Sequence, residues 1–186
     1  PDPVALGPGL MGSDDESDLP RGERPGSLTD VLASIRALVS AETAANALAD
    51  LCAARVVAAR ELFRQLCFAW VTGNGDVHAK NLSVLAGPTG EWRVSPAYDL
   101  PSTLPYGDST MALTIGGRSD GLSRRILLAL AADLGIPESA AVRVVDAVLA
   151  ATAGIADDVA AGVVPLPKHR LRTWERSLRH RRSTAS

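Results

Sequence analysis

Apolar residues recur every three or four positions over most of this chain, which predicts a mainly helical protein. The first pattern runs from about Leu28 to Val39, with Ser27 as its N-cap. A longer pattern runs from about Glu42 to Thr72, and Gly73 follows it where a left-handed C-cap is usual. We expect this long helix to be buried beneath the loop that starts at Gly73. Its apolar positions are Leu48, Leu51, Cys52, Val56, Ala59, Leu62, Phe63, Leu66, Cys67 and Trp70.

The polarity pattern changes after this helix. Residues 82–86 and 92–95 are typical of two short strands, and the turn between them, 87–90, combines two glycines with a proline. A hairpin brings the end of its second strand close to the start of its first. We therefore expect Asp99 to lie beside Asn81.

Helical periodicity returns in the second half of the chain. A short strand is predicted over Met111–Ile115, and helices are predicted over about Arg124–Leu134 and Glu138–Ala153, with a further helical piece to about Ala161. The irregular stretch 101–108 is equally compatible with a substrate contact and with a plain loop. The inward positions of the second helix are Val142, Val145, Val148 and Leu149.

The C-terminal tail is basic and amphipathic. One interpretation is a terminal helix that docks through Trp174 and leaves its basic face in solvent. The other is a contact with the phosphate backbone of nucleic acid, which requires clustered Lys and Arg. The basic residues are Lys168, His169, Arg170, Arg172, Arg176, Arg179, Arg181 and Arg182.

Length and composition are those of one globular domain. The chain has 186 residues, 46% of them hydrophobic, and its net charge of -2 gives no general case for polyanion binding. Residues 1–26 are rich in Pro, Gly, Asp and Ser, which predicts a disordered region or linker before a domain at 27–186. Cys52 and Cys67 are expected to be buried free thiols in a cytoplasmic protein. We expect no membrane span, because no apolar run looks long enough.

Candidate chemistry lies in the polar loop after Gly73. Asp76 and Asn81 have the D-x-x-x-x-N spacing of a kinase catalytic loop, in which the aspartate takes the proton of the substrate hydroxyl and the asparagine holds magnesium. Asp99, returned by the hairpin, would supply a third oxygen. Alone, each of these residues is as typical of an ordinary turn.

The motifs together resemble the HipA-like serine/threonine kinases. Gly73–Ser83 is similar to their G-N-x-D-x-H-x-K-N-x-S signature, Ala97–Leu100 to their tyrosine-aspartate motif, and Leu113–Arg118 to their Gly-Gly-Lys segment, with Arg for Lys. The resemblance extends from about Ser27 to about Trp174. It implies a mostly α (α+β) fold, namely a helical protein-kinase-like C-lobe whose small β-hairpin carries the metal site.

The resemblance also implies roles and partners. Asp76 would be the catalytic base, and Asn81 and Asp99 would bind Mg2+ and the nucleotide, ATP. The family forms the toxin half of toxin–antitoxin pairs; it suggests an aminoacyl-tRNA synthetase as protein substrate, a HipB-like antitoxin, and operator DNA near the basic C-terminal helix. Three further side chains would line the nucleotide end of the site: His78, Lys80 and Tyr98.

The sequence departs from this family at its N-terminal side. The chain has no G-x-x-x-x-G-K-[ST] motif, and no lysine precedes Asp76. We therefore expect the N-lobe to be absent, as in a fragment or a split gene. Two alternatives stay open: a catalytically inactive module that binds the antitoxin or DNA, and a small-molecule phosphotransferase with a similar D-x-x-x-x-N, against which the longer signature argues.

Overall fold

The computed structural model describes residues 40–186. The linker predicted at 1–26 and the helix predicted at Leu28–Val39 lie outside these residues. The described part is mostly helical with one two-stranded antiparallel sheet, as predicted. Its helices are α1 (Ala41–Leu51), α2 (Arg55–Thr72), α3 (Arg124–Asp133), α4 (Glu138–Ala151), α5 (Ile155–Ala160) and α6 (Lys168–Ala185), its strands are β1 (Val84–Ala86) and β2 (Trp92–Val94), and single 3-10 turns cover Ala79–Asn81 and Leu104–Tyr106.

The single helix predicted over Glu42–Thr72 is wrong, because the chain breaks between α1 and α2. At the break, the Ala53 amide donates to the Trp92 carbonyl of β2 at 3.1 Å instead of continuing the helix. Arg55 begins α2 and donates to Asp50 at 2.6 Å and to the Leu134 carbonyl at 3.2 Å. Trp92 and Leu134 lie far from the break in the sequence, and no glycine or proline stands between Leu51 and Arg55, so no local pattern predicts the break.

α2 is the buried central helix that the sequence predicted. Leu62, Phe63 and Leu66 have no exposed surface, and Trp70 has 1%. Two predicted core positions are wrong: Leu51 is 61% exposed and Val56 is 68% exposed. Both flank the break, which shifts the helical phase, so they no longer share the face of the residues in α2.

The hairpin forms where it was predicted, with shorter strands. Val84 pairs with Val94 and Ala86 with Trp92 in antiparallel register. The Ser95 amide donates to the Ser83 carbonyl at 2.9 Å, which continues the pairing toward the site. The chain therefore leaves β2 beside the point where it entered β1.

The strand predicted over Met111–Ile115 is not a strand of a sheet. Its alternation is real, since Met111, Leu113 and Ile115 are buried. Its amides, however, donate to a loop: Ala112 to the Gly75 carbonyl at 3.0 Å and Leu113 to the Val77 carbonyl at 3.2 Å. We call residues 111–115 the bracing segment, because they run along the loop that carries Asp76.

The C-terminal helices form close to their predicted bounds. In α4, Val145 and Val148 are buried, and Val142 and Leu149 are half-buried. α6 packs on a smaller apolar cluster to which Trp174 contributes a partly buried ring. The members of that cluster are Leu104, Ala156, Val159 and Leu178.

One stretch contradicts the prediction that no apolar run is long enough for a membrane. Within Glu138–Ala160 one window of 18 residues has a mean hydropathy of 1.5, and by length and composition alone it could cross a bilayer. The core helix of a globular protein passes the same test. Here 39% of that window is buried, and the stretch is divided into α4 and α5.

Candidate functional site

The site begins where α2 ends. Gly73 has φ +72, and the Asn74 amide donates to the Ala69 carbonyl at 2.8 Å, which closes the helix with a left-handed residue. A side chain at Gly73 would overlap Leu104. The loop therefore starts from a fixed point at the end of the most buried helix.

Asn74 connects the two halves of the site, a role that the sequence did not predict. It is completely buried. Its Nδ2 donates to the Asp99 carbonyl at 3.2 Å, and its Oδ1 accepts from the Asp76 amide at 3.0 Å. Its place within the signature was the one available signal, but an asparagine before glycine is also typical of an ordinary turn.

Asp76 has a fixed backbone and a half-exposed carboxylate. Its neighbours Gly75 and Val77 both accept hydrogen bonds from the bracing segment. Its side chain is 49% exposed, and its Oδ1 lies 3.8 Å from His78 Nε2, close enough for an ion pair when the imidazole is protonated. A carboxylate held in this way can accept a proton from a group that approaches from solvent.

The Asp76 carboxylate lines a groove of about 530 Å3. Thr103 forms part of the wall, and its hydroxyl accepts from the Gly75 amide at 3.1 Å. A side chain at Gly75 would overlap Thr103. The irregular stretch at 101–108 thus lies against the candidate catalytic loop, and a contact with substrate stays a prediction. Other lining residues are Pro101, Ser102, Tyr106, Asp108, Thr110, Met111, Ala112, Thr114 and Ser119.

Asn81 and Asp99 meet as the hairpin geometry predicted. Asn81 Nδ2 donates to Asp99 Oδ2 at 2.6 Å. Asn81 is 5% exposed, and its Oδ1 has no hydrogen-bond partner within the described chain. Asp99 has φ +52, the one positive φ of a non-glycine residue among residues 40–186. Strained backbone of this kind is frequent at functional sites.

The remaining predicted site residues lie around this pair. Tyr98 donates its hydroxyl to the Lys80 carbonyl at 2.7 Å, and both side chains are exposed. His78 Nδ1 is buried with no hydrogen-bond partner in the part of the chain described. The structure therefore gathers His78, Lys80 and Tyr98 near Asn81 and Asp99, and their contacts with nucleotide stay a prediction.

The oxygens of Asn81 and Asp99 suit magnesium only together with a phosphate ligand. Residues 40–186 contain no cluster of three or more His, Cys, Asp or Glu side chains that could hold a metal ion. Mg2+ typically takes one or two carboxylates and completes its octahedron with water and substrate phosphates. The unpartnered Oδ1 of Asn81 beside the Asp99 carboxylate fits that arrangement.

Several basic side chains of the C-terminal tail are buried or are paired with other residues of the protein. Arg181 is 3% exposed. Arg179 is paired with Asp157 at 2.7 Å and Glu175 at 3.0 Å, and Arg182 donates to Thr152 at 2.6 Å. The basic surface of α6 is therefore smaller than the sequence suggests. The exposed members are Lys168, His169, Arg170, Arg172 and Arg176, besides the paired Arg179.

Comparisons with known proteins identify relatives of this chain. Residues 27–155 match the model of the HipA-like C-terminal domain family. Putative kinase Y4dM of Sinorhizobium fredii is 40% identical over 82 residues, which cover 42% of this chain and 20% of that protein. A putative kinase of Haemophilus influenzae is 32% identical over 66 residues, which cover 33% of this chain and 19% of the relative. The matched segments thus span about a fifth of each relative.

A solved structure has a similar fold. HipA of Shewanella oneidensis, determined in complex with HipB and operator DNA, superposes with a TM-score of 0.60 at 24% identity. The superposition covers 78% of this chain and 35% of that chain.

Proposed function

The chain belongs to the family of HipA-like C-terminal domains, and we propose that it is the catalytic lobe of a protein serine/threonine kinase. The proposed reaction transfers the γ-phosphoryl group of ATP to a protein hydroxyl. One observation carries the proposal: Asn81 and Asp99 meet at 2.6 Å and leave an unpartnered amide oxygen, in the same loop system as Asp76.

Asp76 is the proposed base. The acceptor hydroxyl would enter from the groove, and its oxygen would form a bond to the γ-phosphorus while the bond to the β-phosphate oxygen breaks. The hydroxyl proton goes to the Asp76 carboxylate, and ADP leaves. The hydrogen bonds that brace Gly75 and Val77 fix the carboxylate's backbone, which favours one approach direction for the acceptor.

Asn81 and Asp99 are the proposed metal ligands. Magnesium bound there would neutralise phosphate charge, which is the main electrostatic requirement of phosphoryl transfer. Lys80, His78 and Tyr98 would contact the nucleotide at the same end. In line with the family, we propose an aminoacyl-tRNA synthetase as substrate, a HipB-like antitoxin as partner, and the cytoplasm as location.

Asp76→Asn tests the proposal. This variant keeps the side-chain shape and removes the proton acceptor, so magnesium-dependent transfer of labelled phosphate from ATP to protein should fall at least about a hundredfold. The assay uses the chain alone and supplied with a matching nucleotide-binding lobe. Asp133→Asn, an exposed change on α3, is the control and should transfer at the wild-type rate. Wild-type transfer by folded Asp76→Asn would remove Asp76 from the mechanism.

A second candidate function is a catalytically inactive module that binds an antitoxin or DNA. The exposed basic residues of α6 favour it, and the Shewanella HipA with the similar fold was solved with HipB and operator DNA. Titration with ATP and magnesium separates the two candidates. Micromolar binding by this chain supports the kinase, and its absence together with DNA binding supports the module.

A further inference from the structure

Arg181 is a buried cation near the C-terminal end of α6, most of whose other basic residues are exposed. Its guanidinium carbon lies 3.8 Å from the centre of the Trp70 ring. Burial lowers the pKa of Arg181, and Asp120 and Asp108 oppose that effect through their charge. An arginine still stays protonated at neutral pH. The protein therefore buries a charge here, which is costly unless the contacts of that charge compensate.

The contacts of Arg181 join two separate segments. Its Nη1 donates to the Trp70 carbonyl at 3.0 Å, and its Nη2 donates to the Ser109 carbonyl. Trp70 lies in the last turn of α2, where a cation is favoured by the helix dipole. Ser109 lies just before the bracing segment.

These two segments meet again at Asp76. α2 leads through Gly73 into the loop, and the chain after Ser109 supplies the amides of Ala112 and Leu113 that bind the carbonyls on either side of Asp76. Arg181 thus contacts both segments a few residues before they reach Asp76. The hydrogen bonds between these segments hold the candidate base. A planar guanidinium can do this because its two terminal nitrogens donate in different directions from one rigid group.

We propose that Arg181 is a positioning residue, which ties the end of α2 to the chain just before the bracing segment and so holds Asp76 in place for the acceptor. The inference rests on the proposed kinase function. It also gives a role to α6, which lies beyond residues 27–155, the range that the family comparison matched.

Kinetics of three variants of the full chain test this role. Arg181→Met keeps the apolar stem and removes both donors, and it should lower kcat on the order of tenfold while KM for magnesium-ATP stays within about twofold. Arg181→Lys keeps the charge and should recover part of the loss. Arg179→Met removes an exposed arginine two residues away and should match wild type. A folded Arg181→Met with wild-type kcat would overturn the proposal.

Hydrogen exchange provides a readout that does not need activity. In Arg181→Met, or in Arg181→Lys if the methionine variant does not fold, the amides of Ala112 and Leu113 should exchange faster, with the α3 and α4 amides unchanged. A uniform increase over the whole domain would mean a general structural role and overturn the proposal. If wild type transfers no phosphate even with a matching nucleotide-binding lobe, the kinase function fails, and the exchange pattern alone decides whether Arg181 holds the two segments together.

Discussion

Asn81 Nδ2 lies 2.6 Å from Asp99 Oδ2, although the two residues are eighteen positions apart in the chain. The hairpin of β1 and β2 accounts for this, because it returns the chain to its starting point. The amide nitrogen is bound, whereas the amide oxygen has no partner inside the described protein. A magnesium ion with its phosphates would use that oxygen together with the carboxylate.

Asp99→Asn should weaken the binding of magnesium at this pair. The change replaces a charged ligand with a neutral amide of the same shape, so the magnesium concentration needed for half-maximal transfer should rise on the order of 10- to 100-fold. The measurement is a magnesium titration of phosphate transfer at fixed ATP. Asp133→Asn is again the control, and an unchanged midpoint in Asp99→Asn would argue against metal binding by Asp99.

Asn74→Ala should lower stability and activity together. Removal of the amide leaves the Asp76 N–H and the Asp99 carbonyl without their partner, which costs about 1–3 kcal/mol of unfolding free energy. Urea denaturation measures this loss. Asn46→Ala is the matched control, since Asn46 is partly exposed and water can replace its hydrogen bonds to Arg55 and Asp133. Equal losses in both variants would contradict a special role for Asn74.

The sequence could predict those parts of the site that local geometry determines. Gly73 ends a helix because glycine adopts a positive φ without strain, and Asp99 meets Asn81 because a hairpin must return the chain. Both predictions are confirmed by the structure. Neither required knowledge of the tertiary contacts.

Features that depend on distant partners could not be predicted. The break after Leu51 depends on a hydrogen bond between Ala53 and Trp92, which no local pattern shows. Arg181 looks like its exposed basic neighbours in the sequence, and only the packing of α6 on Trp70 buries it. The hydrogen bonds of Asn74 likewise depend on the tertiary structure, which brings Asp99 to the loop that carries Asp76.

Gly73→Ala should destabilise the protein more than Gly90→Ala. Both glycines have positive φ, so both substitutions carry a backbone cost of about 1–2 kcal/mol. Gly90 has open space around it, whereas a Cβ at Gly73 overlaps the buried Leu104 and should add about 1–3 kcal/mol. Urea midpoints measure the difference. If the two variants are equally stable, the contact with Leu104 does not constrain the start of the loop.

The two thiols should be unreactive in the folded protein. Cys52 and Cys67 are buried, and burial raises the pKa of both, so little thiolate forms at neutral pH. Maleimide labelling followed by mass spectrometry should modify neither residue until urea unfolds the chain. Rapid labelling of native protein at Cys67 would contradict its burial in α2.

The raised thiol pKa also predicts how stability depends on pH. An exposed thiol in the unfolded chain ionises near pH 8.5, while the buried thiols stay neutral. Above about pH 8.5 the unfolded chain loses thiol protons that the folded chain keeps, so the free energy of unfolding falls as pH rises. Below about pH 8.5 the thiols are neutral in both states, and this loss of stability does not occur. Urea midpoints between pH 7 and 10 should show this decline, and Cys67→Ala should reduce it. A variant that declines as steeply as wild type would assign the effect to other groups.

Replacement of the exposed basic residues of α6 tests whether this surface binds nucleic acid. Glutamine at Lys168, Arg172 and Arg176 removes three charges that lie in solvent and should weaken binding to duplex DNA at low salt. Each lost phosphate contact should reduce the slope of log affinity against log salt by about 0.9. Arg179→Gln is the control, because Arg179 is already paired with Asp157 and Glu175. If the triple variant keeps the wild-type affinity and salt slope, the basic face of α6 is a solvated surface, and the DNA-binding alternative loses its structural support.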